Sequence, residues 1–282
     1  MSEEQSTKKK GKKKAEAEMS FLDHLEELRW HIIRSAVAVL VFAIVAFVMK
    51  QFIFDTIILR PRMPEFWTNR MLAKLGEMVG TDSLKINQNP LKLIAIKMSD
   101  QFMMHIMISI IAGIIIAFPF IIYEFWRFIK PALYEKEKKH ATGAVFYTSV
   151  LFMLGVLFGY FLIVPLSIEF LGTYSVSADV VNQINTRSYI GTVTSISLAA
   201  GVVFLLPIFA YFLSKVGILT PQFMKTYRKH AYVLMLLLSA IITPPDIFSQ
   251  IMVCMPLIVL YEVGIVISRR VVKKREYEME AM

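Results

Sequence analysis

The sequence is short of the residues that build metal and redox sites. It has one cysteine, Cys254, set inside an apolar run, which excludes an intramolecular disulfide and a Cys/His metal cluster. Its five histidines are scattered, with no HExxH pair. It has no Walker A loop, no GxGxxG and no GxSxG, so neither nucleotide binding nor a hydrolase elbow is indicated. No metal and no cofactor are expected. Charge is scarce as well: 19% of residues are charged, against about 25% in a typical soluble chain.

What is present is apolar. Hydrophobic residues make up 56% of the chain and the mean hydropathy is +0.57. Apolar runs long enough to span a bilayer recur along it. The expected fold class is an all-α integral membrane protein with six transmembrane helices in a kinked bundle. The spans are read at Ser35–Phe54, Phe102–Tyr123, Gly143–Val164, Tyr189–Phe212, Ala231–Ile242 and Asp246–Ser268. Residues 1–19 form a basic tail expected to be disordered, residues 20–268 the membrane domain, and 269–282 a C-terminal tail. No cleavable signal peptide is expected, because the first apolar run is long enough to remain as an anchor.

The net charge of +9 sits mostly in loops and tails, where it sets topology, so no nucleic-acid partner is expected. Lys8–Lys14 stands before span one; Arg127, Lys130, Lys136, Lys138 and Lys139 follow span two; Lys215, Lys225, Arg228 and Lys229 follow span four. Arg269, Arg270, Lys273, Lys274 and Arg275 end the chain. The positive-inside rule then puts both termini in the cytoplasm. Span five, at about 18 Å as a helix, is short for a hydrocarbon core of roughly 30 Å. Pro119, Pro207 and Pro256 each remove an intrahelical hydrogen bond and can kink a span. Gly155 and Gly159 form a GxxxG that favours close helix packing. The hydroxyls of Thr192, Thr194, Ser195 and Ser197 in span four are read as helix-packing bonds.

Acids gather where basic residues usually dominate. Phe21 to Arg34, FLDHLEELRWHIIR, carries Asp23, Glu26 and Glu27 directly before span one. Ser20 and Asp23 fit a capping box. At 100° per residue Phe21, Leu25, Leu28 and Ile32 share one stripe, and Asp23, Glu27, Trp30 and Arg34 the opposite one. Glu27 reads either as a solvated carboxylate paired with His31 or Arg34, or as a docking group. A second acidic, aromatic-rich stretch lies on the same side: YEFWRFIKPALYEKEKKH, Tyr123 to His140, with Glu124, Glu135 and Glu137. Two carboxylates presented together suit a guanidinium, which binds carboxylate bidentately as lysine cannot.

These stretches resemble TatC, the polytopic core of the twin-arginine protein translocase. The resemblance runs from Phe21 to Arg275 and rests on FLDHLEELR, YEFWRFIKPALYEKEKK, TPPDIFSQ (Thr243 to Gln250) and PLIVLYEVG (Pro256 to Gly264). It implies a bent, cup-like helical bundle in a bacterial cytoplasmic membrane that receives folded cargo by paired arginines in its signal peptide. Export is drawn from the proton-motive force. The implied partners are the signal peptide, single-span TatA/TatB-type subunits, further copies of the chain and the lipid bilayer. The docking carboxylates match Glu27 and Glu137; Phe128 and Pro131 match recognition positions. His24, Leu28, Arg29 and Glu124 belong to the same two motifs. Pro61 pairs with a proline just beyond span one, Pro207 with one in span four, and Asp246 with the aspartate of the last outer turn.

The chain departs from the family pattern in four places. His31 stands where a second basic residue is usual, and Glu124 where glutamine is usual. Leu205, two residues before Pro207, replaces a span-four glutamate. The first outer loop, about 55–101, is long and holds a helix-like stretch, Trp67 to Val79. Asp246 also suits the N-cap of span six, Glu262 is placed to pair with Arg269 or Arg270, and Glu169 is read in an outer loop. A solute carrier and an intramembrane enzyme are the alternatives. Neither fits a chain with no repeat between its halves, a midplane poor in charge, and no metal or nucleophile motif.

Overall fold

The computed structural model describes residues 21–129, 141–177, 179, 182–243 and 247–280. The lysine tail, Ser20, Pro131, Glu135, Glu137, Asp246 and the prolines beside Asp246 lie outside the described residues. The described residues are mostly helical. Five helical stretches among them are long and apolar enough to cross a membrane: Leu25–Val48, Asp100–Ile129, Gly143–Thr173, Thr186–Val216 and Gln250–Lys274. The segment read as span five is a helix of 15 residues, Arg228–Ile242, about 22 Å long.

Helix α1 (Phe21–Val48) contains no glycine or proline. A π-helical segment, Phe52–Ile58, and a 3₁₀ turn, Arg60–Arg62, follow it and bring the chain out at Pro61. Tyr160 and Tyr189 donate from their hydroxyls to the carbonyls of Ile57 and Ile58, at 2.7 and 2.9 Å. These bonds cover backbone acceptors that the ending helix leaves free. Helix α2 (Trp67–Val79) occupies the helix-like stretch of the first outer loop and stops at Gly80, whose φ of 74° suits glycine.

Helix α3 (Asp100–Ile129) runs antiparallel to α1 and is uninterrupted at Pro119. It extends past the expected end of span two, so Tyr123 to Ile129 is helix rather than loop. Helix α4 (Ala141–Phe158) passes through a π-helical turn, Gly159–Ile163, into α5 (Val164–Thr173). Pro165 lacks the N–H that an α-helix would use there, and one wider turn absorbs the loss. Glu169 therefore stands on α5 and not in a loop.

Helices α6 (Thr186–Val203) and α7 (Leu206–Val216) are one span broken at Phe204–Leu205. Pro207, buried in the first turn of α7, sits at that break. A short helix α8 (Pro221–Thr226) precedes α9 (Arg228–Ile242), and α10 (Ile247–Glu280) runs unbroken through Pro256 to Glu280.

Helix α6 lies at the centre. Its Ile190, Val193, Ile196 and Ala200 pack against Met104 and Ile108 of α3, Met235 of α9 and Leu257 of α10. The GxxxG does what its spacing suggests: a β-carbon on Gly155 would fall 2.6 Å from the Ala200 carbonyl, and one on Gly159 would fall 2.8 Å from the Ala200 side chain. The span-four hydroxyls behave differently from expectation. Thr192, Thr194 and Ser197 each donate to a carbonyl four residues back in their own helix, at 2.8–3.0 Å. That self-satisfaction needs no partner helix.

The loops at the end of the bundle away from the termini form a polar cap. Parallel strands β1 (Leu93–Ile94) and β2 (Ile184–Asn185) tie the first loop to the second. Asn69 of α2, fully buried, donates to the carbonyls of Pro61 and Met63, and accepts from Asn87. Asn87 also donates to the Pro165 carbonyl and, from its backbone, to Glu169. The long first loop is thereby fixed to α5.

Candidate functional site

Where α1 begins and α3 ends, the two helices lie side by side because small residues let them approach. A β-carbon on Gly113 would fall 2.7 Å from the Val39 carbonyl and 3.0 Å from the Ala43 side chain. Ala117 is fully buried and Ala46 nearly so. From this crossing the helices run in register to their ends, which sets His31 beside Glu124. The opposite face of α1, with Val37, Leu40, Val41, Ile44 and Val48, is apolar and exposed. Leu25 and Ile32, on the stripe expected to meet lipid or protein, are exposed with it.

His31 is buried and links two acids. Its Nδ1 lies 2.6 Å from Oε2 of Glu124, which is itself buried. Its Nε2 lies 4.0 Å from Oε1 of Glu27. Phe128 of α3 meets the imidazole edge-on, ring centres 5.9 Å apart. Arg34 and Arg127 stand 3.7 and 3.9 Å from the two oxygens of Glu124. Glu124, a surface loop acid by sequence, is thus the interior anchor of this cluster: an imidazole and two guanidiniums surround its carboxylate. With Glu124 ionised it only accepts, so Nδ1 carries the proton of that bond.

Glu27 differs. It is about a third exposed, and its Oε2 is shielded with no hydrogen-bond partner among the described residues. An acceptor held without a donor costs free energy until one arrives. The i,i+4 spacing to His31 is met, but at 4.0 Å it is not a hydrogen bond. Leu28 is half-buried next to it. Arg29 is exposed, its guanidinium 5.9 Å over the Trp30 ring, and His24 stands one turn earlier on α1. Glu137 and Pro131 fall outside the described residues. Beside Arg34, Trp30, Ile33, Val37 and Phe120 line a shallow groove of about 370 Å³.

The other singled-out residues lie elsewhere. Glu262 accepts from Arg228 at 2.8 Å and from the Tyr232 hydroxyl at 2.6 Å. It therefore ties α10 to α9 rather than pairing with Arg269 or Arg270 along its own helix. Leu205 is buried with Phe152 and Val156, an apolar setting that suits leucine where the resembled pattern has an acid. No group of three metal-ligating side chains occurs among the described residues. Sequence reasoning named His31 as a partner of Glu27 and at the place of a basic residue, but missed its contact with Glu124, which lies 93 positions away.

Long apolar helices with exposed apolar faces, and charged clusters at helix ends, define a polytopic membrane protein. Residues 23–256 match the family described as Sec-independent protein translocase protein (TatC). A TatC from Blattabacterium sp. subsp. Periplaneta americana (strain BPLAN) is 40% identical over 260 residues, 92% of this chain and 98% of the relative. Bacillus subtilis (strain 168) TatCy is 31% identical over 259 residues, covering 92% of each chain. Two crystal structures titled as the twin arginine translocase receptor TatC superpose with TM-scores of 0.62 and 0.67, at 31% and 32% identity. They cover 88% and 87% of this chain and 99% of their own. The chain belongs to the TatC family, a family of protein transport.

Proposed function

We propose that this chain is the signal-peptide receptor and core scaffold of a twin-arginine translocase. It docks the paired arginines of folded cargo at the cytoplasmic face for export driven by the proton-motive force. The observation that carries the reading is Glu27: a partly exposed carboxylate at the start of the first span, one of whose oxygens has no donor among the described residues. An arginine guanidinium supplies two parallel N–H groups to such a carboxylate. A second carboxylate, Glu137, makes the site selective for two adjacent arginines, with Phe128, Pro131, His24, Leu28 and Arg29 around them. Glu124 shapes this site from within rather than docking. At a wet surface these pairs are screened, so the apolar stretch of the signal peptide adds affinity from the bilayer or a helix face.

In this reading both termini are cytoplasmic and α9 is a sixth, short span beneath the outer turn that holds Asp246. The exposed apolar helix faces meet lipid, TatA/TatB-type single-span subunits and other copies of the chain. The protein is a transport component and not an enzyme. The test is export in cells. Glu27→Ala and Glu137→Ala each abolish export of twin-arginine cargo while the protein still inserts. Normal export in the double variant contradicts the docking assignment.

A further inference from the structure

Helix α2 leaves an apolar stripe uncovered at the cap end of the bundle. Trp67, Met71, Leu75 and Met78 are all exposed, Trp67 by 62% and Met78 by 75%. At 100° per residue the four fall within about 80° of one another. Arg70, Lys74 and Glu77, also exposed, follow along one edge of the stripe. The opposite face is the one that packs. Asn69 is buried there and bonded to the carbonyls of Pro61 and Met63. A β-carbon added at Gly76 would fall 2.6 Å from the Thr81 carbonyl. The helix is held by its back and turns its apolar side outward.

We propose that α2 is an in-plane membrane anchor: its apolar stripe lies in the phospholipid leaflet on the cap side, and Arg70 and Lys74 reach the lipid phosphates. The proposal stands apart from the docking reading, since α2 touches none of the residues placed in that site.

Depth selects lipid as the occupant. Thr68 donates from its hydroxyl to the Phe161 carbonyl. Phe66 stacks on the Phe161 ring with centres 5.5 Å apart, and Trp67 meets that ring edge-on at 6.2 Å. Phe161 belongs to the span Gly143–Thr173 and stands 18 positions beyond Gly143, about 27 Å along a helix. A hydrocarbon core is roughly 30 Å thick, so α2 starts at its far boundary.

Continuity and composition agree with that depth. Leu157 and Phe161, one turn apart on the same span, are themselves exposed, and the stripe of α2 extends their apolar surface sideways. A tryptophan at headgroup level, with arginine and lysine beside an apolar stripe, is the pattern of a helix that lies in a membrane interface. Thirteen residues make a helix of about 20 Å, and one that stood out into water would leave its whole stripe wet. Asn69 bonds Asn87, and Asn87 bonds Glu169 of α5, so a grip of the leaflet on α2 sets the depth of the cap as a unit.

The experiment uses the full chain in nanodiscs of phosphatidylethanolamine and phosphatidylglycerol. Cys254→Ala removes the only thiol. Met71→Cys, Met78→Cys and Glu77→Cys are then made one at a time and labelled with a nitroxide. Collision with oxygen, which dissolves in lipid, is compared with collision with a nickel chelate, which stays in water. The labels replacing Met71 and Met78 are expected to favour oxygen severalfold over the label replacing Glu77, which the nickel chelate reaches. Nickel chelate reaching all three labels alike overturns the proposal. Exclusion of both reagents from the Met71 and Met78 positions also overturns it, because protein then covers the stripe. Should the labelled chains fail to insert, fluorescence decides. Lipids with brominated chains are expected to quench the emission that Trp67→Phe removes, and an unquenched Trp67 contribution overturns the anchor.

Discussion

Gly113 of α3 meets Ala43 of α1 with no room for a side chain between them: a β-carbon there would lie 2.8 Å from the Ala43 nitrogen and 3.0 Å from its methyl group. This contact sets the spacing of the two helices whose ends carry His31, Glu27 and Glu124. Gly113→Leu must push the helices apart. Overpacking of this kind costs about 1–3 kcal/mol. The variant is expected to melt earlier in detergent and to lose twin-arginine binding, although it touches none of the charged groups. Wild-type melting and binding would mean that the helix ends hold their own positions.

The bond between His31 and Glu124 makes a second prediction. Glu124→Ala leaves a buried imidazole N–H without an acceptor, at a cost of about 1–3 kcal/mol. Glu124→Gln keeps an oxygen in place and is expected to be milder. Reversible unfolding in detergent separates the two. Equal stability of the alanine and glutamine variants would remove the bond from the account of this interface.

Restoring the acid of the resembled pattern at position 205 is expected to harm this chain. Leu205 packs on Phe152 and Val156, with Phe118 and Ile115 behind them. A glutamate there loses its hydration among apolar side chains, at a cost of about 2.5–3.5 kcal/mol. Unfolding of Leu205→Glu in detergent beside the wild type measures this, and equal stability of the two contradicts it.

Much of this was legible in the sequence, and the rest was hidden for identifiable reasons. Long apolar runs mark the five long helical stretches, prolines notwithstanding, because burying twenty apolar residues leaves little other choice. The helix at Trp67–Val79 and the close approach at Gly155 and Gly159 also follow from local pattern. Errors fell where a local pattern meets a distant partner. Glu124 looked like a surface acid, because nothing near it in sequence shows that α1 covers it. Glu262 looked like a partner for arginines on its own helix. Arg228 and Tyr232, some thirty residues away, reach it first. The hydroxyls of Thr192, Thr194 and Ser197 looked like bridges between helices, yet these three find a carbonyl one turn back at lower cost. Helical periodicity assigns faces; it does not say which helix a face meets.

The central claim is that the acids at the mouth of the first span read two guanidiniums. The most direct measurement is equilibrium binding of paired-arginine and paired-lysine signal peptides to the full chain in nanodiscs, wild type beside Glu27→Gln. The wild type is expected to bind the arginine peptide about tenfold tighter or more, a difference of about 1.4 kcal/mol that one bidentate pair supplies. Glu27→Gln is expected to erase that preference while leaving the weaker, apolar part of the binding. Equal affinity of the wild type for both peptides would contradict the account.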